Sequence, residues 1–346
     1  MNVSEITKAI VAVYPSRQPL MVWGPPGVGK SAGVREASRV LGTKSKTKDN
    51  SFGFIDLRLS IREPTDLLGV MWPDASKGLV RNFPSSFLPK AGRGILFLDE
   101  LVQASTLMQG AASQLILDRC VGEYVLPEGW HVIAAGNRVS DRAAANAMPT
   151  HIKNRFIHLY AEVDVDSWVT WALEHQVDLR VVAFIKFRRA LLHAFDPQSK
   201  GEAFPSPRSW EFVSTLLKTW TSERALLETM IKGAVGEGPG AEFCGFLRVA
   251  DKMPSLEGII LNPHTAEIPD DMAALYATVT GLTGRASRDN LASITAYLNR
   301  VSDLGKPDFA IAAIKELSVR PSRDGHSLTQ TRAFIEFASK HNHLIA

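Results

Sequence analysis

The chain has 346 residues, 45% hydrophobic and 22% charged, with 39 Lys and Arg against 36 Asp and Glu for a net charge of +3. That length allows two or three domains around a well-buried main core, and the mild positive balance, spread along the chain, neither suggests nor excludes a nucleic-acid partner. Cys120 and Cys244 stand far apart outside any CxxC or Cys/His cluster, so a disulfide framework or zinc site lacks support and the reducing cytoplasm is expected; no apolar run is long enough for a membrane span.

Taken in chain order, "MNVSEITKAIVAVYPSRQP" reads as an amphipathic helix ended by proline, without a signal-peptide core. Strands are expected at "PLMVW" (19–23), "FGFIDLRLS" (52–60), "GILFLDEL" (94–101), "HVIAAGN" (131–137) and "FIHLYAEV" (156–163). Helical spacing lies between them in "SAGVREASRVLG" and "STLMQGAASQLILDRC". Alternation of this kind predicts a mostly parallel sheet covered by helices. From Asp164 onward the pattern is helical only, and "GEGPG" (236–240) is its clearest linker signal. The terminal "KHNH" reads as a frayed helix end, and no histidine shows metal-ligand spacing.

"GPPGVGKS", comprising Gly24, Pro25, Pro26, Gly27, Val28, Gly29, Lys30 and Ser31, matches G-x-x-x-x-G-K-[ST] directly after a strand and before a helix. The glycines let backbone N–H groups turn in around phosphate oxygens, Lys30 reaches the β and γ phosphates, and Ser31 can ligate Mg²⁺. "GILFLDE" supplies a second apolar strand ending in two carboxylates. A parallel strand's carboxyl end faces the ligand crevice, so Asp99 suits the Mg²⁺ shell and Glu100 the orientation or deprotonation of a water. "HVIAAGNRV" delivers Asn137 to the same edge, where its amide can position that water. Alone, each has a bland reading as a turn or a solvated strand end. Together they assemble an ATP-hydrolysing site.

These motifs, with "EPTDLLG" (63–69), "LDELVQAS" (98–105), "GEYVLPEGWHVIAAGNR" (122–138), "KNRF" (153–156) and "PSPRSW" (205–210), resemble the AAA+ ATPases and within them the MoxR-like branch. The resemblance covers about residues 5–220. It implies a P-loop NTPase αβα core with a five-stranded parallel sheet over residues 1–163, an all-helical lid over 164–236 and a helical C-terminal extension over 237–346. The extension is where a partner's docking surface is to be sought. "EPTDLLG" looks like the start of that branch's insert, the continuation "VMWPDASKGLVRNFPSSFLPKAG" reads as a loop, and the segment before Asn137 looks like the hairpin that precedes the first sensor. Trp72 in the insert is either a substrate-facing aromatic at a pore or a packed side chain, and packing is preferred.

The same likeness gives Gly24–Ser31 the nucleotide, Ser31 and Asp99 the metal, Glu100 the water and Asn137 the first sensor. It makes Arg155 the arginine finger reaching a neighbouring subunit and Arg208 the second sensor, while Arg138 and Arg142 compete with Arg155 because "KNRF" lacks the acidic residue often found before the finger. Lys153 and the nearby histidines read as solvated turn residues. A ring, most often hexameric, follows, binding ATP and Mg²⁺ and remodelling a protein client with a partner carrying a von Willebrand factor A-type metal-adhesion (VWA, MIDAS) domain. A DNA-loading or helicase-like protein is the alternative. It is weakened by the few basic residues of the insert, and a small-molecule kinase is disfavoured by the adjacent Asp99 and Glu100.

Overall fold

Nine strands form among the described residues of the first half of the chain: β1 (Leu20–Trp23), β2 (Phe52–Arg58), β3 (Val70–Asp74), β4 (Leu79–Phe83), β5 (Arg93–Asp99), β6 (Cys120–Val121), β7 (Tyr124–Val125), β8 (Gly129–Gly136) and β9 (Ile157–Tyr160). The computed structural model describes residues 1–43, 52–141, 146, 148–199, 201–251, 253–319 and 327–341. Two compact units result, Met1–Val163 with Asp196–Ser199, and Asp164–Phe195 with Lys200–Ala346.

In the first unit five strands pair in the order β2-β5-β8-β1-β9, every pairing parallel. The apolar runs are nearly continuous because both faces are covered. Leu20, Val22, Ile95, Phe97, Ile133 and Ala135 point to one face, where they meet Ile6 and Ile10 of helix α1 (Val3–Val13) and Val34 and Ala37 of α2 (Lys30–Thr43). Met21, Leu96, Leu98, Val132 and Ala134 point to the other. There they pack on Leu67 of α3 (Pro64–Leu68), on Met108, Ala112, Leu115 and Ile116 of α4 (Thr106–Leu117), and on Ile152 of α5 (Thr150–Lys153). Alternation with period two thus builds both halves of an αβα core, the P-loop NTPase fold class.

The expected loop after α3 is instead an antiparallel ribbon of β3 and β4, with Val70 opposite Phe83 and Trp72 opposite Arg81. It rests beside the β6–β7 hairpin, where Glu123 accepts from the Asn82 backbone N–H at 3.1 Å and pairs with Arg81 at 3.6 Å. Trp72 is 62% exposed, so the preference for a packed side chain is corrected. Nothing in the unit forms a second layer over this ribbon's Val70, Met71, Val80 and Phe83 among the described residues.

The second unit is helical: α6 (Val165–Glu174), α7 (Leu179–Phe187), α8 (Pro207–Thr219), α9 (Arg224–Val235), α10 (Glu237–Ala250), α11 (Leu256–Leu261), α12 (Met272–Gly284), α13 (Leu291–Asp303), α14 (Pro307–Val319) and α15 (Arg332–His341). Phe184 of α7 and Trp210 of α8 meet Phe243 of α10 at ring-centroid distances of 5.0 and 5.4 Å. Helix α12 is buried on nearly all sides, as its apolar composition requires. "GEGPG" is no linker. Only Gly236 departs from helix, at φ 93°, and α10 starts at the next residue. Pro239 sits in the first turn, where proline is tolerated, and a Cβ on Gly240 would lie 2.6 Å from Lys232 Cα, so the glycine permits α9 and α10 to approach.

The expected frayed end is likewise corrected for its first two residues: Lys340 pairs with Asp303 at 3.0 Å, and buried His341 meets Asn299 Oδ1 at 2.9 Å. The rest of "KHNH" lies outside the described residues. Lys186 of α7 and Glu316 of α14 form an ion pair with side chains 9% and 7% exposed, closed by Thr280 and Thr283 of α12.

Candidate active site

The carboxyl ends of β1, β5 and β8 lie side by side in the sheet, and each delivers one part of a polar cluster. Beyond β1 the loop turns through Gly27 at φ 78° and Gly29 at φ 97°, left-handed conformations that favour glycine, and enters α2 at Lys30. The Lys30 ammonium donates to Gly24 O at 2.7 Å, Pro25 O at 2.9 Å and Asn137 Oδ1 at 2.8 Å. Asn137 reaches it because the register sets Trp23 against Gly136, one residue before the amide. Ser31 Oγ donates to Asp99 Oδ2 at 2.8 Å, and the other Asp99 oxygen accepts from the Glu100 backbone N–H at 2.9 Å. Asp99 is 9% exposed, a carboxylate whose burial is offset by these two donors.

Glu100 holds a left-handed backbone at φ 57°, a rare conformation for a residue with a side chain. Its carboxylate takes a hydrogen bond from Ser60 Oγ and stands 3.6 Å from Arg58 Nε. These two residues were not foreseen. The register pairs Arg58 with Asp99, which carries the residues after β2 to Glu100; the only sequence signal is that two apolar runs end in polar residues. Two residues before the end of β2, Asp56 pairs with Arg35 at 3.1 Å, and burial, then the charge of Asp99, push its carboxyl above the usual carboxylate range.

The oxygen donors Ser31 and Asp99 form the hard, sparse set that suits Mg²⁺, which keeps most of its shell for water and phosphate oxygens. No group of three or more His, Cys, Asp or Glu placed to hold a metal occurs among the described residues.

Arg155 does not join this cluster. It precedes β9, and the register sets Ile157 against Leu20 and Tyr160 against Trp23, so a strand's length, about 13 Å, separates it from the edge that bears the 24–31 loop. Its guanidinium donates to Ser113 O of α4 at 2.5 Å. The competing Arg138 pairs with Asp141 at 3.3 Å, and Arg142 lies outside the described residues. Arg208, in the second unit, is exposed in the first turn of α8, behind the box in which Ser206 and Ser209 cap the helix. Lys153 is exposed as expected, but His158 is not a solvated turn residue: it lies in β9, bonded to Trp23 and to the Lys153 carbonyl.

No protein-family model matches the chain, and no curated protein matches it. Solved structures do. NtrX from Brucella abortus is 15% identical at a TM-score of 0.41, over 98% of this chain and 67% of that one. A second structure of NtrX, in complex with ATP, is 13% identical at 0.40, over 99% and 66%. A RuvB mutant from Thermotoga maritima is 11% identical at 0.36, over 98% and 88%. Likeness this low assigns no activity. No helix among the described residues is long and apolar enough to cross a membrane.

Proposed function

We propose that the protein is a ring-forming AAA+ ATPase of the MoxR-like type, hydrolysing ATP at subunit boundaries to remodel a protein client. The observation that carries this is the junction of Lys30 with Asn137 and of Ser31 with Asp99 at three adjacent strand ends. In this reading the 24–31 backbone binds the phosphates, Lys30 neutralises them, Asn137 and Glu100 orient the attacking water, and Glu100 takes its proton. Ser31 and Asp99 would hold Mg²⁺, which would supply charge neutralisation to the phosphates.

Arg155 acts on a neighbour's nucleotide, since its own phosphate loop lies at the far end of the strands. Fingers of this kind are worth about 10³–10⁵ in turnover, or about 4–7 kcal/mol. Arg208 serves as the second sensor in the helical unit. The exposed ribbon of Val70, Met71, Trp72, Val80 and Phe83 is apolar rather than basic, which favours a protein client over DNA. A partner with a VWA domain and a docking role for residues 237–346 complete the reading, in the cytoplasm.

Lys30→Ala abolishes ATP binding, whereas Glu100→Gln retains binding and loses about 10²–10⁴ in phosphate release, the worth of a general base. Wild-type turnover in Glu100→Gln sinks the assignment. Rings mixed from Arg155→Ala and Glu100→Gln subunits regain turnover, because some boundaries then pair an intact pocket with an intact finger; no regain in verified mixed rings removes Arg155 from the role.

A further inference from the structure

His158 is held in one tautomer by its two partners. The Trp23 indole N–H can only donate, and it gives its hydrogen to His158 Nδ1 at 2.8 Å, so Nδ1 carries none. His158 Nε2 lies 2.9 Å from the Lys153 carbonyl oxygen, which can only accept, so Nε2 carries the proton. The ring is neutral with both nitrogens engaged, and Phe156 packs edge-on at 6.3 Å between ring centroids.

The partners belong to opposite ends of the strands. Trp23 closes β1 and is followed by Gly24, the first residue of the phosphate loop. Lys153 closes α5, two residues before Arg155. The turn bearing Arg155 is therefore pinned twice, to α4 through Ser113 O and to β1 through His158.

We propose that neutral His158 is a positioning residue that fixes the Arg155 turn against the strand delivering the phosphate loop, an inference that rests on the ATPase reading above. A subunit lends Arg155 to one boundary and its phosphate loop to another, so this bridge sets the spacing between the two. A second proton on the imidazole occupies Nδ1 and turns it into a donor facing the donor of Trp23, and the bridge opens. Among the described residues of the surrounding elements, β1 and α4 carry no charged side chain, α5 brings His151 and Lys153, the turn brings Arg155, and β9 itself brings Tyr160. No carboxylate on them offsets an imidazolium.

Two measurements on the full chain test this. The Trp23 indole resonance, assigned with Trp23→Phe, moves between pH 8 and pH 5 in the wild type and stays still in His158→Gln. In parallel, wild-type kcat for ATP falls about fivefold or more over that range with KM changed less than about twofold, the pattern of a positioning rather than a binding group. His158→Gln, whose amide can accept from Trp23 and donate to Lys153 O, retains most of the neutral-pH kcat and lacks the acidic fall. His158→Leu lowers kcat at every pH while its unfolding midpoint stays near the wild type's.

An indole signal that does not move while His158 titrates overturns the bridge, and an acidic fall identical in His158→Gln overturns its role. A wild type that never hydrolyses ATP removes the ATPase reading and the positioning role with it, and the indole titration still decides the bridge.

Discussion

Two polar clusters sit in this protein and are built in opposite ways. Lys30, Ser31, Asp99, Glu100 and Asn137 gather where strands end, and Glu100 is still 37% exposed. Most of their partners, a loop carbonyl, an amide or a serine, are neutral groups that phosphate oxygens, a cation or water can replace. Lys186, Thr280, Thr283 and Glu316 instead lie along three helices in the interior of the second unit, satisfied by one another. The first arrangement keeps its hydrogen bonds exchangeable. The second has no exchange to make, since its charged side chains are only 9% and 7% exposed.

The largest expected contrast follows directly. Lys186→Met leaves Glu316 buried without its cation and costs about 3–5 kcal/mol, read by denaturant unfolding, whereas the double change Lys186→Met with Glu316→Leu recovers most of that loss. Lys30→Ala shifts unfolding by less than about 1 kcal/mol, because its ammonium stands at a half-buried loop where water replaces the lost partner. Equal stability losses for Lys186→Met and Lys30→Ala break the comparison.

The same contrast explains what could be read from the chain alone. Lys30, Ser31, Asp99, Glu100 and Asn137 were legible because each adjoins the strand that carries it, so local spacing announces the chemistry. Lys186 and Glu316 were not, since a pair brought together from α7 and α14 leaves no local trace. Ser60 and Arg58 fall between: "LRLS" is visible, but only the pairing of Arg58 with Asp99 aims it at Glu100. The five strands were expected near their observed places and their order was not, because period-two alternation marks a strand without marking its neighbour. The ribbon of β3 and β4 was read as a loop because Pro73, Asp74 and Gly78 are turn residues and both its faces are open, so no buried face imposes a pattern. His158 was misread for a related reason: one histidine beside a turn looks solvated until a parallel neighbour supplies Trp23.

A smaller effect sharpens the comparison inside a single strand. β8 carries fully buried His131 near its start and ends at Gly136, beside the exchangeable Asn137. His131 contacts Gln18 O at 2.7 Å, and burial, with Arg119 and Arg17 adding repulsion, lowers its affinity for a proton despite that bond. The unfolded imidazole binds a proton below about pH 6.5 while the folded one resists, so stability falls as pH drops through that value, by at most about 1.4 kcal/mol per pH unit, until the lower folded value is reached. Unfolding free energies at pH 7.5, 6.5 and 5.5 show this slope in the wild type and a shallower one in His131→Leu. An unchanged slope means that His131 gains its proton in the folded protein as easily as in the unfolded chain.

The smallest effect concerns an exposed aromatic side chain of the ribbon, Trp72. Val70, Trp72 and Phe83 share one face of the ribbon and line a cleft of about 260 Å³. A side chain already in water loses little on truncation, so Trp72→Ala changes unfolding free energy by no more than about 0.5 kcal/mol, where truncating buried Trp210 costs about 3–5 kcal/mol. The ribbon also stands apart from the 24–31 loop in the chain's hydrogen bonding, tied instead to Glu123 of the neighbouring hairpin. ATP turnover without client therefore stays within about twofold of wild type in Trp72→Ala. A large stability loss there means that Trp72 is packed after all, the reading preferred for a tryptophan met in sequence alone; a large loss of client-free turnover means that the ribbon belongs to the proposed ATP site rather than to what that site drives.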